Sequence, residues 1–383
     1  MGIYRWLVGL IFVAAHITVQ HSFSAHELQG DPAALSPPFK HLTHPVEAEE
    51  PALNWFSGAA TVLSAYPPRS DLERSLRSVT PVRSQGGRGT CSIFSTVAWF
   101  EAFLSAQGAP VAELDLSEEW LEHLAARSTG VDGSETPINF NLISDWGMAS
   151  EHSLRYISQD WQEKDLRDQP KPMKRCGHLH GTLKKSCLIG HWDPQLLDLD
   201  ETQLRAAARQ LGLANEEAQE WRLAHLPFGG KPKTLQRVRD IKSALARGTP
   251  VVLDLEFFYG AWNHYTADNL KIGRNQEAYL RGEVGYPEPD SLDRTRSPRK
   301  PTGHSVLVVG YDDDETVETT VKLANGKLKT FTYKGVYYFK NSWGRTDFGR
   351  HFEAQGLEAP GFGRITQKYA HEFGAFIQFE PAR

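Results

Sequence analysis

SQGGRGTCSIFSTVAWFEAFL, residues 84–104, runs a glycine-rich turn straight into an apolar helical pattern, with a cysteine at the join. After Cys91, apolar side chains recur at Ile93, Phe94, Val97, Phe100, Phe103 and Leu104. That spacing of three and four predicts an amphipathic helix with one buried stripe, and Gly108 and Pro110 stop it. Cys91 therefore falls at a helix N-terminus, where unpaired backbone N–H groups and the helix dipole favour an anion. A thiol placed there gains thiolate character, and the thiolate is the nucleophile. The plain alternative is a small buried cysteine packing like alanine.

Outward from this stretch, the 383 residues carry 40% hydrophobic and 11% aromatic side chains, enough for one large core or two medium ones. A formal net charge of -5 gives no overall attraction to nucleic acid or anionic lipid. The densest basic run, Lys171, Lys174, Arg175, Lys184 and Lys185, reads as a solvated face. Residues 1–24 have the form of a signal peptide: Arg5, the apolar run Trp6–Ala15, then a small-residue cleavage site near Ser22–Ala25. The apolar run is too short for a membrane span. These features predict a secreted or periplasmic protein with no membrane span and no nucleic-acid partner, and a monomer.

Residues 25–68 are polar and proline-rich, an extension or removable pro-segment. Leu72–Val82 reads as an extended lead-in, with Pro81 opposing helix before the turn. Ser117 is a predicted N-cap, with Glu118 and Glu119 in the first turn of the helix that follows. Gly130–Asn141 reads as turns, and Ile143–Trp146 as a short helix. Residues 158–233 differ in being strongly charged, with a helical run over Glu201–Leu226, and read as an insertion. Leu235, Val238, Ile241 and Leu245 then mark a helix ended by Gly248 and Pro250. Beyond it the chain turns to strands: VVLDLEFF, SVLVVGYDD, and two alternating runs around Asn325-Gly326, a hairpin signal. Helices first and strands second predict an α+β fold of two halves, 69–234 and 235–383, with a cleft between them.

Two polar residues interrupt apolar strands there, His304 in GHSVLVVGYD and Asn341 in YYFKNSWG. A cysteine nucleophile needs a base that becomes its cationic partner, and that base needs an orienting group on its other nitrogen. Each residue alone is ordinary; jointly with Cys91 they form a set. VTPVRSQGGRGTCSIFS, GHSVLVVGYD and VYYFKNSWG together resemble the papain-like cysteine peptidases, in that family's order of cysteine, histidine, asparagine. The resemblance runs from about Asp71 onward and implies the papain-like fold, a helical half and an antiparallel β-barrel-like half. It also implies roles: Cys91 as nucleophile, His304 as its base and later acid, Asn341 holding the ring of His304. Gln85 would donate to the oxyanion, and Trp343 would cover the histidine–asparagine pair. A protein or peptide would be the substrate, with no cofactor and no metal.

The chain departs from the family pattern at Arg88, where a disulfide cysteine is usual, and at Ser92, where an aromatic is usual. The separation of Cys91 from His304 also exceeds the family's about 130–150 residues, in keeping with an insertion at 158–233. Cys176, His178, His180, Cys187 and His191 lie close together, and a Cys176–Cys187 disulfide suits an exported chain better than zinc. Trp262–His264 reads as a packed corner near the cleft, and Asp312–Asp314 as an acidic turn rather than a calcium loop. Rival readings are a thiol acyl transferase on the same residues and an inactive papain-like binding protein.

Overall fold

The computed structural model describes residues 35–40, 42, 46, 66–200, 202, 203, 206 and 229–382. The expected signal peptide, most of the extension and, but for 202, 203 and 206, the helical run Glu201–Leu226 lie outside the described residues. No helix among those described is long and apolar enough to cross a membrane.

The expected extended lead-in begins instead with a helix, α1 (Leu72–Arg77). Asp71 caps it by accepting from the Arg74 N–H, and Glu73 lies in its first turn. Leu72 and Leu76, four apart, turn one face to the core, so the helix is complete before Pro81 acts. α2 (Cys91–Ala106) starts with Cys91 as its first residue. Its apolar stripe is as expected, but Ser92, Ser95, Thr96 and Glu101 are buried too. It is a central helix and has no solvated face along most of its length.

α3 (Glu118–Thr129) is capped by Ser117, whose hydroxyl accepts from the Trp120 N–H at 2.9 Å. α4 (Thr136–Trp146) is longer than the helix expected at 143–146, and takes in the second half of what reads as turns. Pro137 in its first turn fits a helix start, because the N–H it lacks would be unpaired anyway. In the insertion, α5 (Pro170–Cys176) and α6 (Gly181–Gly190) form a hairpin closed by a Cys176–Cys187 disulfide. That bond leaves neither sulfur for a metal.

Seven strands make one sheet in the order β1-β9-β2-β4-β5-β8-β3. They are β1 (Gly230–Leu235), β2 (Val251–Glu256), β3 (Glu283–Val284), β4 (Gly303–Lys322), β5 (Leu328–Lys340), β8 (Phe362–Thr366) and β9 (Gly374–Pro381). All pairs are antiparallel except β3 with β8. Two two-residue strands, β6 (Glu353–Ala354) and β7 (Leu357–Glu358), pair apart from it. The sheet takes in the end of the stretch expected as insertion, because β1 starts at Gly230.

Alternation along the strands builds two cores. Leu307 and Val309 of β4 and Val252 of β2 face the helical layer of α2, α3 and α4. Val306 and Val308, with Val251, Leu253 and Leu255, face α7 (Val238–Ala246), α8 (Gln367–Phe373) and the 257–302 segment. The Trp99 indole of α2 donates to the Pro250 carbonyl at 2.9 Å, tying the central helix to the entry of β2.

Candidate active site

Three elements converge on one place. The Gly-rich loop before α2 presents Cys91, the start of β4 presents His304, and the end of β5 leads into Asn341. Ser95, one turn along α2 from Cys91, has its hydroxyl 2.6 Å from that of Ser305, the residue after His304. The first turn of α2 and the first residues of β4 are thus in direct contact. Neither serine was singled out from the sequence. Ser95 sits four residues after Cys91, on the same helix face, and Ser305 is a second polar residue in a buried strand; those were the available signals.

His304 is fully buried, and its Nε2 lies 2.8 Å from Asn341 Oδ1. A carboxamide oxygen can only accept, so Nε2 carries the proton and Nδ1 keeps its lone pair in the neutral ring. That Nδ1 has no hydrogen-bond partner among the described residues. Trp343 stacks on the imidazole with ring centroids 4.5 Å apart, and Trp262 meets it edge-on at 5.1 Å. Trp262 and His264 do form a packed corner, with the His264 ring 6.0 Å from Trp343. Burial lowers His304 to about 3, against the opposing effect of the Asn341 bond.

Cys91 is also fully buried. Its sulfur lies 3.1 Å from the Ser36 hydroxyl, with the backbone of Ser305 as a further hydrogen-bonding neighbour. The Cys91 sulfur makes no hydrogen bond to His304 here; Ser36 has that contact. Burial pushes the thiol up to about 11, more than these hydrogen bonds pull it down. Both groups are therefore neutral at pH 7.

Ser36 belongs to the proline-rich extension. Its hydroxyl also donates to the Gly89 carbonyl. Its own carbonyl accepts from the Gly303 N–H at 2.9 Å and from the Thr302 hydroxyl. Lys40 N donates to Glu135 at 3.1 Å. Residues 35–40 therefore form a strap bonded to Gly89, Cys91 and Glu135 on one side and Thr302 and Gly303 on the other. A side chain at Gly303 would bring a Cβ within 2.9 Å of the Phe39 ring, so glycine there permits the close approach.

Gln85 is held at both ends of its amide. Nε2 donates to the Arg88 carbonyl at 2.7 Å, and Oε1 accepts from the Ser342 hydroxyl at 2.6 Å. The backbone pairing continues it: Gln85 N to Ser342 O at 2.9 Å, a Ser84–Trp343 bridge, and Gly344 N to Arg83 O at 3.0 Å. Of the remaining candidates, Asp312 caps its own turn by accepting from the Asp314 and Glu315 N–H groups. Asp313 pairs with Lys242 and Asp314 with Lys334. No cluster of three metal-ligating side chains occurs among the described residues.

Residues 66–189 match the papain family cysteine proteases. Peptidase 1 of Dermatophagoides farinae is 38% identical over 110 residues, 28% of this chain and 33% of that protein. Peptidase 1 of Euroglyphus maynei is 39% identical over 97 residues, 25% of this chain and 29% of that protein. The chain thus spans less than two thirds of the length of these relatives. Among solved structures, xylellain, a cysteine protease from Xylella fastidiosa, aligns over 92% of this chain and 99% of its own, with a TM-score of 0.48 and 14% identity. The matched stretch holds Gln85 and Cys91, while His304 and Asn341 lie beyond it. Over that stretch the chain is similar to the papain family cysteine proteases.

Proposed function

We propose that the protein is an exported cysteine peptidase that hydrolyses peptide bonds with Cys91, His304 and Asn341, and that residues 35–40 hold it latent. The observation that carries the reading is the His304–Asn341 pair at 2.8 Å under Trp343, with Nδ1 left unpartnered among the described residues and Ser305, the next residue, beside the Cys91 sulfur. In the proposed reaction the Cys91 thiol gives its proton to His304 Nδ1, and the thiolate attacks the peptide carbonyl. The Cys91 N–H and the Gln85 amide stabilise the oxyanion. The carbon–nitrogen bond breaks as His304 passes the proton to the leaving amine, which leaves a thioester. His304 then takes a proton from water, the hydroxide displaces the thiolate, and the acid departs.

Latency follows from the same physics. While the strap excludes water, burial keeps the thiol protonated and the ring neutral, so the ion pair does not form. Removing residues 35–40 admits water and moves both groups back towards charge separation. The leader at 1–24 and the Cys176–Cys187 disulfide support export to an oxidising compartment.

The test is digestion of a peptide library by the full chain and by Cys91→Ser, before and after trimming of the N-terminal extension, with and without an added amine. New free carboxyl termini in the wild type alone support a peptidase; amine adducts would indicate a transferase. Cys91 that labels only at alkaline pH after trimming, near the free-thiol value of about 8.5, would sink the reading.

A further inference from the structure

The position where the family has a disulfide cysteine is here a fully buried arginine, and its surroundings give it work beyond filling space. Arg88 Nε donates to Asp132 Oδ1 at 2.9 Å, Nη1 to the Ile157 carbonyl at 3.0 Å and Nη2 to the Ile189 carbonyl at 2.9 Å. Glu122 lies 3.2 Å from Nη2 and Glu119 3.5 Å from Nη1. Glu119 in turn bonds the ring of His191, just past α6. One guanidinium thus joins α3, the 130–133 turn and the inserted hairpin.

The same network grips the loop that leads to Cys91 at Gln85, Arg88, Gly89 and Thr90. Asp132 Oδ2 accepts from the Gly89 N–H at 2.8 Å. Tyr156 donates its hydroxyl to the Gln85 carbonyl at 2.9 Å and lies 2.6 Å from the Thr90 hydroxyl, with the Arg88 guanidinium 5.5 Å from its ring centre. The Arg88 carbonyl receives the Gln85 amide. Gly133 is confined as well: a Cβ there would stand 2.1 Å from the Gly89 carbonyl oxygen.

We infer that Arg88 is a positioning residue for the oxyanion donors: anchored by Asp132, Glu119, Glu122 and the carbonyls of Ile157 and Ile189, it sets where the Gln85 amide and the Cys91 N–H stand. The inserted hairpin serves as the far support of this ionic brace. The inference rests on the peptidase reading for its kinetic consequence and on the geometry alone for its structural one.

The test uses the full chain with Arg88→Lys, which keeps the cation and loses the planar fork. Asp132→Asn, at a partly exposed site, is the milder variant and decides the matter if Arg88→Lys does not fold. In both, amide hydrogen exchange across residues 86–91 speeds up about tenfold while the β4 and β5 amides stay protected. In Arg88→Lys, activated as the wild type is, kcat falls about 100-fold with KM near the wild-type value, as for loss of one oxyanion donor. The pH midpoint of Cys91 alkylation is unchanged, which separates donor placement from thiolate formation. Unchanged exchange at 86–91 would overturn the inference whether or not the protein cleaves peptides. Faster exchange with undiminished kcat would overturn its link to the reaction. A wild type that cleaves nothing counts against the peptidase reading, and the exchange result still decides the brace.

Discussion

Asn341 and Ser36 touch the proposed pair from opposite sides, and their removal has opposite consequences. Asn341→Ala takes the acceptor from His304 Nε2 and frees the ring to change tautomer, so kcat falls by about 100-fold; steady-state kinetics on a fluorogenic peptide measure it, and a variant within twofold of wild type would refute the role. Ser36→Ala removes the hydroxyl from the Cys91 sulfur and the Gly89 carbonyl. With about 1 kcal/mol lost for each of the two bonds, alkylation of Cys91 in the untrimmed protein at neutral pH accelerates about 30-fold. An unchanged labelling rate would show that the strap does not govern the thiol. Cys91, His304, Asn341 and Trp343 were legible because each is a polar or aromatic residue at a fixed place in a short motif. Ser36 was not, since nothing local in DPAALSPPFK says which distant sulfur a serine will meet. Arg88 was visible as a departure from the family, but its five partners come from three separate stretches, and no spacing rule links them.

Among the elements, α3 carries a clear pH signature. Burial holds Glu122 well above the ordinary carboxyl range against the lowering pull of Arg88, with Asp132 and Glu119 adding like charge. Because its folded value is raised above the unfolded one, the folded state binds the extra proton. Stability is then fully present below about pH 4.5 and is lost as pH rises through the raised value. Glu122→Gln keeps an acceptor for Arg88 and for the Gly133 N–H and removes the titration. Thermal melts should show a higher Tm than wild type at pH 8 and little difference near pH 5; equal gains at both would reject the explanation. Element boundaries were legible where capping or periodicity is local, as at Ser117 and Asn325-Gly326. They are not legible at α1, where the Asp71 cap starts a helix upstream of Pro81, nor at α4, where Gly130 and Gly133 make the following residues read as turn. β1 was taken into the charged insertion, since Gly230–Leu235 alternates weakly and owes its place to pairing with β9.

For the whole molecule, the proposed latency makes acid the expected trigger. His304 and His371 are both lowered to about 3 by burial, and the carbonyl of His371 holds the Val46 N–H at 3.0 Å. With folded values below the unfolded 6.5, their contribution is present above that pH and is lost as pH falls towards about 3. Exposing His304 would relieve the cost, and the strap bonds its neighbour Gly303. Protection of residues 35–40 against hydrogen exchange, corrected for intrinsic rates, should therefore drop between pH 7 and about pH 4; equal protection at both would rule out acid release. The α+β class was legible from the order of helices and strands. That one sheet serves two cores was not, because a strand buried on both faces gives a continuous apolar run such as SVLVVGY, without alternation. The backbone stitches between 83–85 and 342–344 have a mechanical corollary. The helical wall and the sheet wall are sewn together right beside the glutamine, so they cannot gape there without tearing out the very amide that chemistry would rely on. Under the proposed activity, a polypeptide would not enter by prising the lobes apart but would lie where Leu35–Lys40 now lies, and the width of that furrow, not a hinge, would set what the protein admits.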